Sequence, residues 1–195
     1  GRLDATNVID RPLATVITPV SMDHEGFLGD TLAKIAAEKA GIIKRGVPCV
    51  VGRQAPDAMD VIEATVARNA APLIAYGQHW HAYPERDRMV FQDETGLLDL
   101  PRPTLLGDHQ IDNAGAAIAV LRLLGLPDDA AEAAVTHAEW PARMQRLRQG
   151  PLVEAAQTAE LWLDGGHNPA AGQALAAALS AMPGRPTHLV CGMLN

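Results

Sequence analysis

Asp30-Thr-Leu-Ala-Lys-Ile-Ala-Ala-Glu-Lys-Ala-Gly-Ile-Ile-Lys-Arg-Gly-Val-Pro-Cys-Val-Val-Gly52 changes its apolar pattern halfway along, and that change decides the fold. In the first half, Leu32, Ile35, Ala36, Ala40 and Ile43 recur at three- and four-residue spacing, which predicts a helix with one buried stripe, and Asp30 suits its N-cap. Val47 to Gly52 then reads as a strand. Lys39 falls within the apolar stripe, whereas Lys34 and Glu38 lie on the other side, four apart, where an exposed ion pair is ordinary. The chain's three lysines, Lys34, Lys39 and Lys44, all lie in this segment. A lysine facing inward must snorkel, pair, lose its charge or be chemically modified.

Working outward, Ala14 to Val20 is β-branched and bounded by Pro12, which predicts a buried strand that delivers Asp23-His24 to a sheet edge. Asp57 to Ala71 predicts a second helix, with Met59, Ile62, Val66 and Asn69 on one face, and Pro72 to Gly77 a third strand. Strand, helix, strand, helix, strand with short links is the pattern of a parallel sheet covered by helices. From His79 to Leu100 the pattern becomes three short alternating pieces, an antiparallel meander with turns at 84–87 and 93–96. His79 and His81 share one face of its first strand; an exposed face is the expectation, since further metal ligands are not evident.

Asp108 to Gly125 predicts a helix ending at a glycine, so rich in alanine that something large must pack closely against it. A short helix from Pro127 to His137 follows, and residues 139–143 read as a domain linker. Beyond the linker, strands near 147–153 and 159–163, a helix from Pro169 to Met182 capped by Asn168, and a strand at 187–191 make a second α/β unit. The expected domains are therefore 1–138 and 139–195.

Composition narrows the function classes. A hydrophobic fraction of 48% with only 4% aromatics means that Ala, Leu and Val build the core. A net charge of −7 argues against a nucleic-acid or anionic-membrane surface, while leaving room for a local anion site. No apolar run approaches the length of a membrane span, and no signal peptide is visible. Cys49 and Cys191 sit in apolar runs without metal-ligand spacing, so both are expected as buried free thiols in a reducing cytoplasm.

Four motifs occur in a fixed order: Gly1-Arg-Leu-Asp-Ala-Thr-Asn7; Ser21-Met-Asp-His24 with Glu38-Lys-Ala-Gly-Ile-Ile-Lys44; Gly107-Asp-His-Gln-Ile-Asp-Asn113; and Trp140-Pro-Ala-Arg143 with Asp164-Gly-Gly-His-Asn168. In this order they resemble the folylpolyglutamate synthase and dihydrofolate synthase branch of the Mur ligase family. The resemblance implies a partial Mur-ligase central domain, mainly a parallel sheet with helices plus a small meander, followed by a partial Rossmann-like C-terminal domain. It also implies an ATP-dependent amide ligase. ATP phosphorylates a carboxylate of dihydropteroate or folate, and the amine of L-glutamate displaces the phosphate.

The resemblance carries over residue by residue. His24 resembles a magnesium ligand, with Asp23 orienting it, and Lys39 matches a carbamylated lysine, a modification that suits its inward position. Leu3, Asp4 and Ala5 match the segment that contacts the pterin. Asn113 matches an adenine-contacting asparagine, Arg143 an arginine that reaches ATP phosphate, and Asp164 an acidic residue on the nucleotide. His167 is assigned to the glutamate or acyl-phosphate side, while His109 and Gln110 are expected to be structural. Ala142 stands where the family usually has Gly, and Gly166 where it usually has Ala. The family's Gly-rich phosphate loop and a metal-binding Glu do not occur in this sequence. The expectation is therefore part of a cytoplasmic, monomeric ligase requiring ATP and Mg2+, inactive as this piece alone. The alternatives are a Mur-type ligase acting on another carboxylate, or a non-catalytic nucleotide-binding fragment.

Overall fold

The computed structural model describes the whole chain except Leu3, Thr6, residues 23–28 and residues 193–195. Strand β1 (Thr15–Ile17), helix α1 (Leu32–Ala40), strand β2 (Cys49–Val51), helix α2 (Pro56–Arg68) and strand β3 (Leu73–Ala75) form the predicted alternation. The strands pair in parallel in the order β1-β2-β3, with Val16 opposite Val50 and Val50 opposite Ile74. Side chains alternate across a strand, so β2 feeds two cores. Cys49 and Val51 pack with Ile35 and Ile62 of the two helices, and Val50 packs with Ile111 and Ile118 on the opposite face. Each fully buried isoleucine contributes about 1.5–3 kcal/mol, so these strands of three residues hold helices on both faces.

Helix α1 starts one residue later than the sequence suggests. Thr31 is the N-cap, its hydroxyl accepting the Lys34 N–H at 3.3 Å. That frees Asp30 to pair with Lys34 at 2.7 Å, which lowers the Asp30 pKa. Lys34 therefore pairs with Asp30 and not with Glu38, which meets Arg2 at 3.2 Å. Lys39, in the last turn, is half-buried, although Ala36, Ala40 and Ile43 of the same stripe are buried.

The meander comprises β4 (Trp80–Glu85), β5 (Arg88–Asp93) and β6 (Gly96–Pro101). Pro84 lies within β4 and not in the turn, a position an edge strand tolerates because no inward ladder bond is needed there. Helix α3 (His109–Leu123) sits against both β2 and the meander, which is why it is apolar nearly all round. The large group it packs on is Trp80, which is 1% exposed, stacks on Phe91 at 6.0 Å and donates its indole N–H to the Ile74 carbonyl. A Cβ on Gly115 would lie 2.6 Å from the Trp80 ring and 2.5 Å from the Ala82 methyl, so this crossing requires glycine. Helix α4 (Asp128–Thr136) closes this region by burying Ala131 and Val135.

The remainder contains β7 (Gln145–Leu147), α5 (Pro151–Ala156), β8 (Leu161–Leu163) and α6 (Pro169–Ser180), with β7 and β8 antiparallel. Asn168 caps α6 as expected, its Oδ1 accepting the Ala171 N–H at 2.8 Å. Three expectations fail here. Residues 151–153 are helical and not part of a strand, because Gly150 turns the chain at φ 103° and Pro151 starts a helix. Residues 187–191 have strand composition but no described partner, and Leu189 and Val190 are 69% and 96% exposed. Cys191 is correspondingly exposed, whereas Cys49 is buried; both are free thiols. Burial raises the Cys49 pKa, against a smaller opposing hydrogen bond with Thr15.

Candidate functional site

In a parallel sheet the chain leaves every strand at the same edge, and ligands bind in the crevice beyond that edge. Thr18, Pro19 and Ser21 emerge there from β1 and form one wall of a cleft of about 540 Å³. That volume lies within the range of small-molecule sites. The first turn of α3 supplies His109, Asp112 and Asn113, and the linker supplies Trp140 and Arg143. The loop after β8 supplies Asp164 and His167, with the start of α6 behind it. Asn113, Arg143, Asp164 and His167, taken from two of the four motifs, therefore line one cavity.

The cleft combines groups that suit an anion with two carboxylates, Asp112 and Asp164, that suit hydroxyl or amine donors. Helices α3 and α6 both begin at the cleft, directing the positive ends of their dipoles toward it. Arg143 adds a guanidinium, held 6.0 Å from the centroid of the exposed Trp140 ring. Opposite, Asp164 fastens the linker to its own loop. Its Oδ2 accepts the Met144 N–H at 2.8 Å and its Oδ1 accepts the Gly166 N–H at 2.7 Å. The Gly165 N–H donates to the Ala142 carbonyl at 2.7 Å. These bonds hold Ala142 and Met144 at φ 55° and 44°, a left-handed backbone that costs a non-glycine residue about 1–2 kcal/mol. His167 is exposed, its Nδ1 3.0 Å from the Gly165 carbonyl oxygen.

His109 lies deeper in the cleft. Burial, followed by the positive charge of Arg143, holds its pKa below the ordinary value, against the opposing pull of Asp164, Asp112 and Asp108. Its ring is pressed on the backbone of Gly107, where a Cβ would lie 2.6 Å from Cε1, and Gly107 has φ 105°.

The other predicted residues lie elsewhere. Leu3, Asp23 and His24 fall outside the described residues. Asp4 and Ala5 are exposed in successive turns, the Asn7 N–H donating to the Asp4 carbonyl at 2.9 Å. This segment packs on the end of α1. The Arg2 N–H donates to the Glu38 carbonyl at 2.8 Å, and the Asn7 amide reaches the Gly41 carbonyl at 3.4 Å. The first motif thus sits beside the helix end that carries Lys39. Among the described residues no carboxylate pairs with Lys39, and no group of three or more His, Cys, Asp or Glu is placed to hold a metal ion.

Two clusters escaped the sequence reading. At the ends of β2 and β3, Arg53 stacks on Tyr76 at 4.2 Å, donates to its hydroxyl, and reaches Asp112 of α3 at 3.5 Å. Its position just after a strand, in Val51-Gly-Arg53, was the available signal. The second cluster links His109, Gln110 and Asn113, and ordinary helical spacing concealed it.

No family model matches the chain. Individual proteins do. The chain is 35% identical over 179 residues to the dihydrofolate synthase/folylpolyglutamate synthase of Bacillus subtilis, covering 86% of this chain and 40% of the relative. An FPGS–AMPPCP–folate complex has a TM-score of 0.81 at 32% identity, over 95% of this chain and 46% of that one. Escherichia coli FolC in complex with DHPP and ADP gives 0.80 at 31% identity, over 95% and 42%. The chain thus spans about 40% of the length of the curated relative.

Proposed function

From its similarity along its length to the dihydrofolate synthase/folylpolyglutamate synthase family, we infer that this chain carries the nucleotide site of an ATP-dependent amide ligase. The ligase joins L-glutamate to dihydropteroate, to folate, or to both. The observation that carries the reading is the convergence of Asn113, Arg143, Asp164 and His167 on one cleft.

Such a ligase must bring a carboxylate anion to the γ-phosphate of ATP, so its central task is to neutralise and orient charge. Asn113 offers a donor and an acceptor to the edge of adenine. Arg143 forks onto phosphate oxygens, with the two helix N-termini beside it. Asp164, already bonded to two backbone N–H groups, keeps lone pairs for ribose hydroxyls. His167, at the outer side of the loop, serves the glutamate or acyl-phosphate side. Leu3, Asp4 and Ala5 contact the pterin.

Lys39 is carbamylated in this reading: its neutral amine adds CO2 and releases a proton, which turns a cation into a carboxylate. The resemblance also implies Mg2+ with His24 as a ligand. The described residues present no donor set for the ion, and the roles above do not depend on it. We assign residues 1–138 and 139–195 to two domains meeting at the cleft, in a protein that acts as a cytoplasmic monomer. Among the described residues no helix is long and apolar enough to cross a membrane.

The test is ADP formation by the full-length protein that depends on both L-glutamate and dihydropteroate or folate. Arg143→Ala is expected to lower kcat/KM about a hundredfold with an unchanged melting temperature. Absence of ATP turnover with either acceptor would overturn the assignment.

A further inference from the structure

We propose that Gln110 and His109 are positioning residues that fix the amide orientation of Asn113, and thereby select an adenine over a 6-oxopurine nucleotide. The proposal rests on the nucleotide reading of the cleft. Gln110 is 3% exposed, one of only three buried polar residues among those described, and both ends of its amide are engaged. Its Oε1 accepts from Asn113 Nδ2 at 3.0 Å, and its Nε2 lies 2.9 Å from His109 Nε2.

The direction of this relay follows from the inventory of donors. An amide nitrogen only donates, so His109 Nε2 is the acceptor and the imidazole proton resides on Nδ1. Gln110 therefore cannot turn over without placing its carbonyl against the His109 lone pair. Asn113 cannot turn over without placing its own carbonyl against that of Gln110. The neutral imidazole at one end thus sets the amide at the other. With one Asn113 N–H consumed by Gln110, the carbonyl Oδ1 and the second N–H remain for the cleft. The carbonyl accepts from an exocyclic 6-amino group. A 6-oxo group presents an acceptor at the same place and meets that carbonyl unfavourably.

The anchor of the relay is sterically fixed, because the His109 ring lies against the backbone of Gly107. It is also held neutral. Arg143 from the linker opposes protonation, and Asp108, Asp112 and Asp164, the acidic groups around it, are outweighed by burial together with Arg143. An imidazolium could not accept from Gln110, so protonation would release the relay.

The experiment measures affinity of the full-length protein for ATP and for ITP, which differ at the purine 6-position. Parent, Gln110→Met and Gln110→Glu proteins are compared by calorimetry, and the parent is followed across pH. The parent prefers ATP. Gln110→Met, similar in shape but unable to relay, reduces the ATP-to-ITP preference about tenfold. Gln110→Glu accepts from Asn113 and from a protonated His109, and retains the preference within about twofold. In the parent the preference falls as pH drops below the ordinary histidine range, and the ring 15N shifts of His109 at neutral pH report the Nδ1–H tautomer. Equal weakening of both nucleotides in Gln110→Met, a pH-independent preference, or the Nε2–H tautomer would each overturn the relay. A parent that binds neither nucleotide would overturn the nucleotide reading itself.

Discussion

The two walls of the cleft are built on opposite principles. The wall from the first 138 residues is the end of a densely buried structure, in which β2 is buried on both faces and Trp80, Phe91, Ile35 and Ile62 are almost fully enclosed. In the wall from residues 139–192, only Met144 and Ala178 are buried, while Trp140, Leu152, Leu163 and Leu189 are all more than 40% exposed. Hydrogen bonds centred on Asp164 do there what packing does in the first wall. The comparison teaches that Asn113 is presented on a rigid platform, whereas Arg143, Asp164 and His167 are held by a few polar bonds.

The strongest way to break the comparison is a matched pair of truncations. Ile62→Ala leaves a cavity in the first core and is expected to cost about 3 kcal/mol, whereas Leu152→Ala is expected to cost less than about 0.5 kcal/mol. Urea unfolding of both variants measures this, and similar losses would show that the second region has a core of its own. Next in size, Gly115→Ala drives a methyl into Trp80 and is expected to cost about 1–3 kcal/mol, seen in the same titration.

Asp164→Ala tests the polar wall. Removing the acceptor for the Met144 and Gly166 N–H groups is expected to cost about 1–2 kcal/mol locally. Hydrogen exchange should then speed up across residues 142–168 and remain unchanged in α3; faster exchange throughout would mean that the regions unfold together. The smallest change is Ala142→Gly. It relieves a left-handed alanine and is expected to stabilise the loop by about 0.5 kcal/mol after the entropic cost of glycine, read as slower exchange of the Gly165 N–H.

Titration sharpens the contrast from the first wall's side. The His109 pKa is lower folded than unfolded, so between the depressed value and the ordinary one the unfolded chain binds more protons. Stability is highest above about pH 6.5 and falls as pH drops through that window. A His109→Gln variant should lose this dependence while keeping other acid-sensitive behaviour, as measured by melting temperature against pH.

The same asymmetry explains how much the sequence disclosed. The first region was legible because its period switches between helix and strand at each element, and because the alanine-rich α3 demanded a large neighbour, which is Trp80. The second region misled because its apolar runs are not buried runs. Residues 151–153 follow a Gly-Pro step that starts a helix, and residues 187–191 have strand composition without a described partner to pair with. In the site, Asn113, Arg143, Asp164 and His167 could be named from motif order, and the fold brings all four to one cleft. The inward lysine was overstated by the helical wheel: Lys39 is only half-buried, while Ala36, Ala40 and Ile43 of the same stripe are buried. Gln110 and His109 were read as structural because Gln110 and Asn113, at i and i+3 on a helix, look the same whether Gln110 fills space or orients its neighbour.

The most direct test of the central claim is a crystal structure of the full-length protein with AMPPCP. The account predicts the adenine against the Asn113 amide, phosphate oxygens on Arg143, and the ribose beside Asp164, all in the cleft between the two walls. A nucleotide bound elsewhere, or in this cleft without touching Asn113 and Arg143, would contradict it.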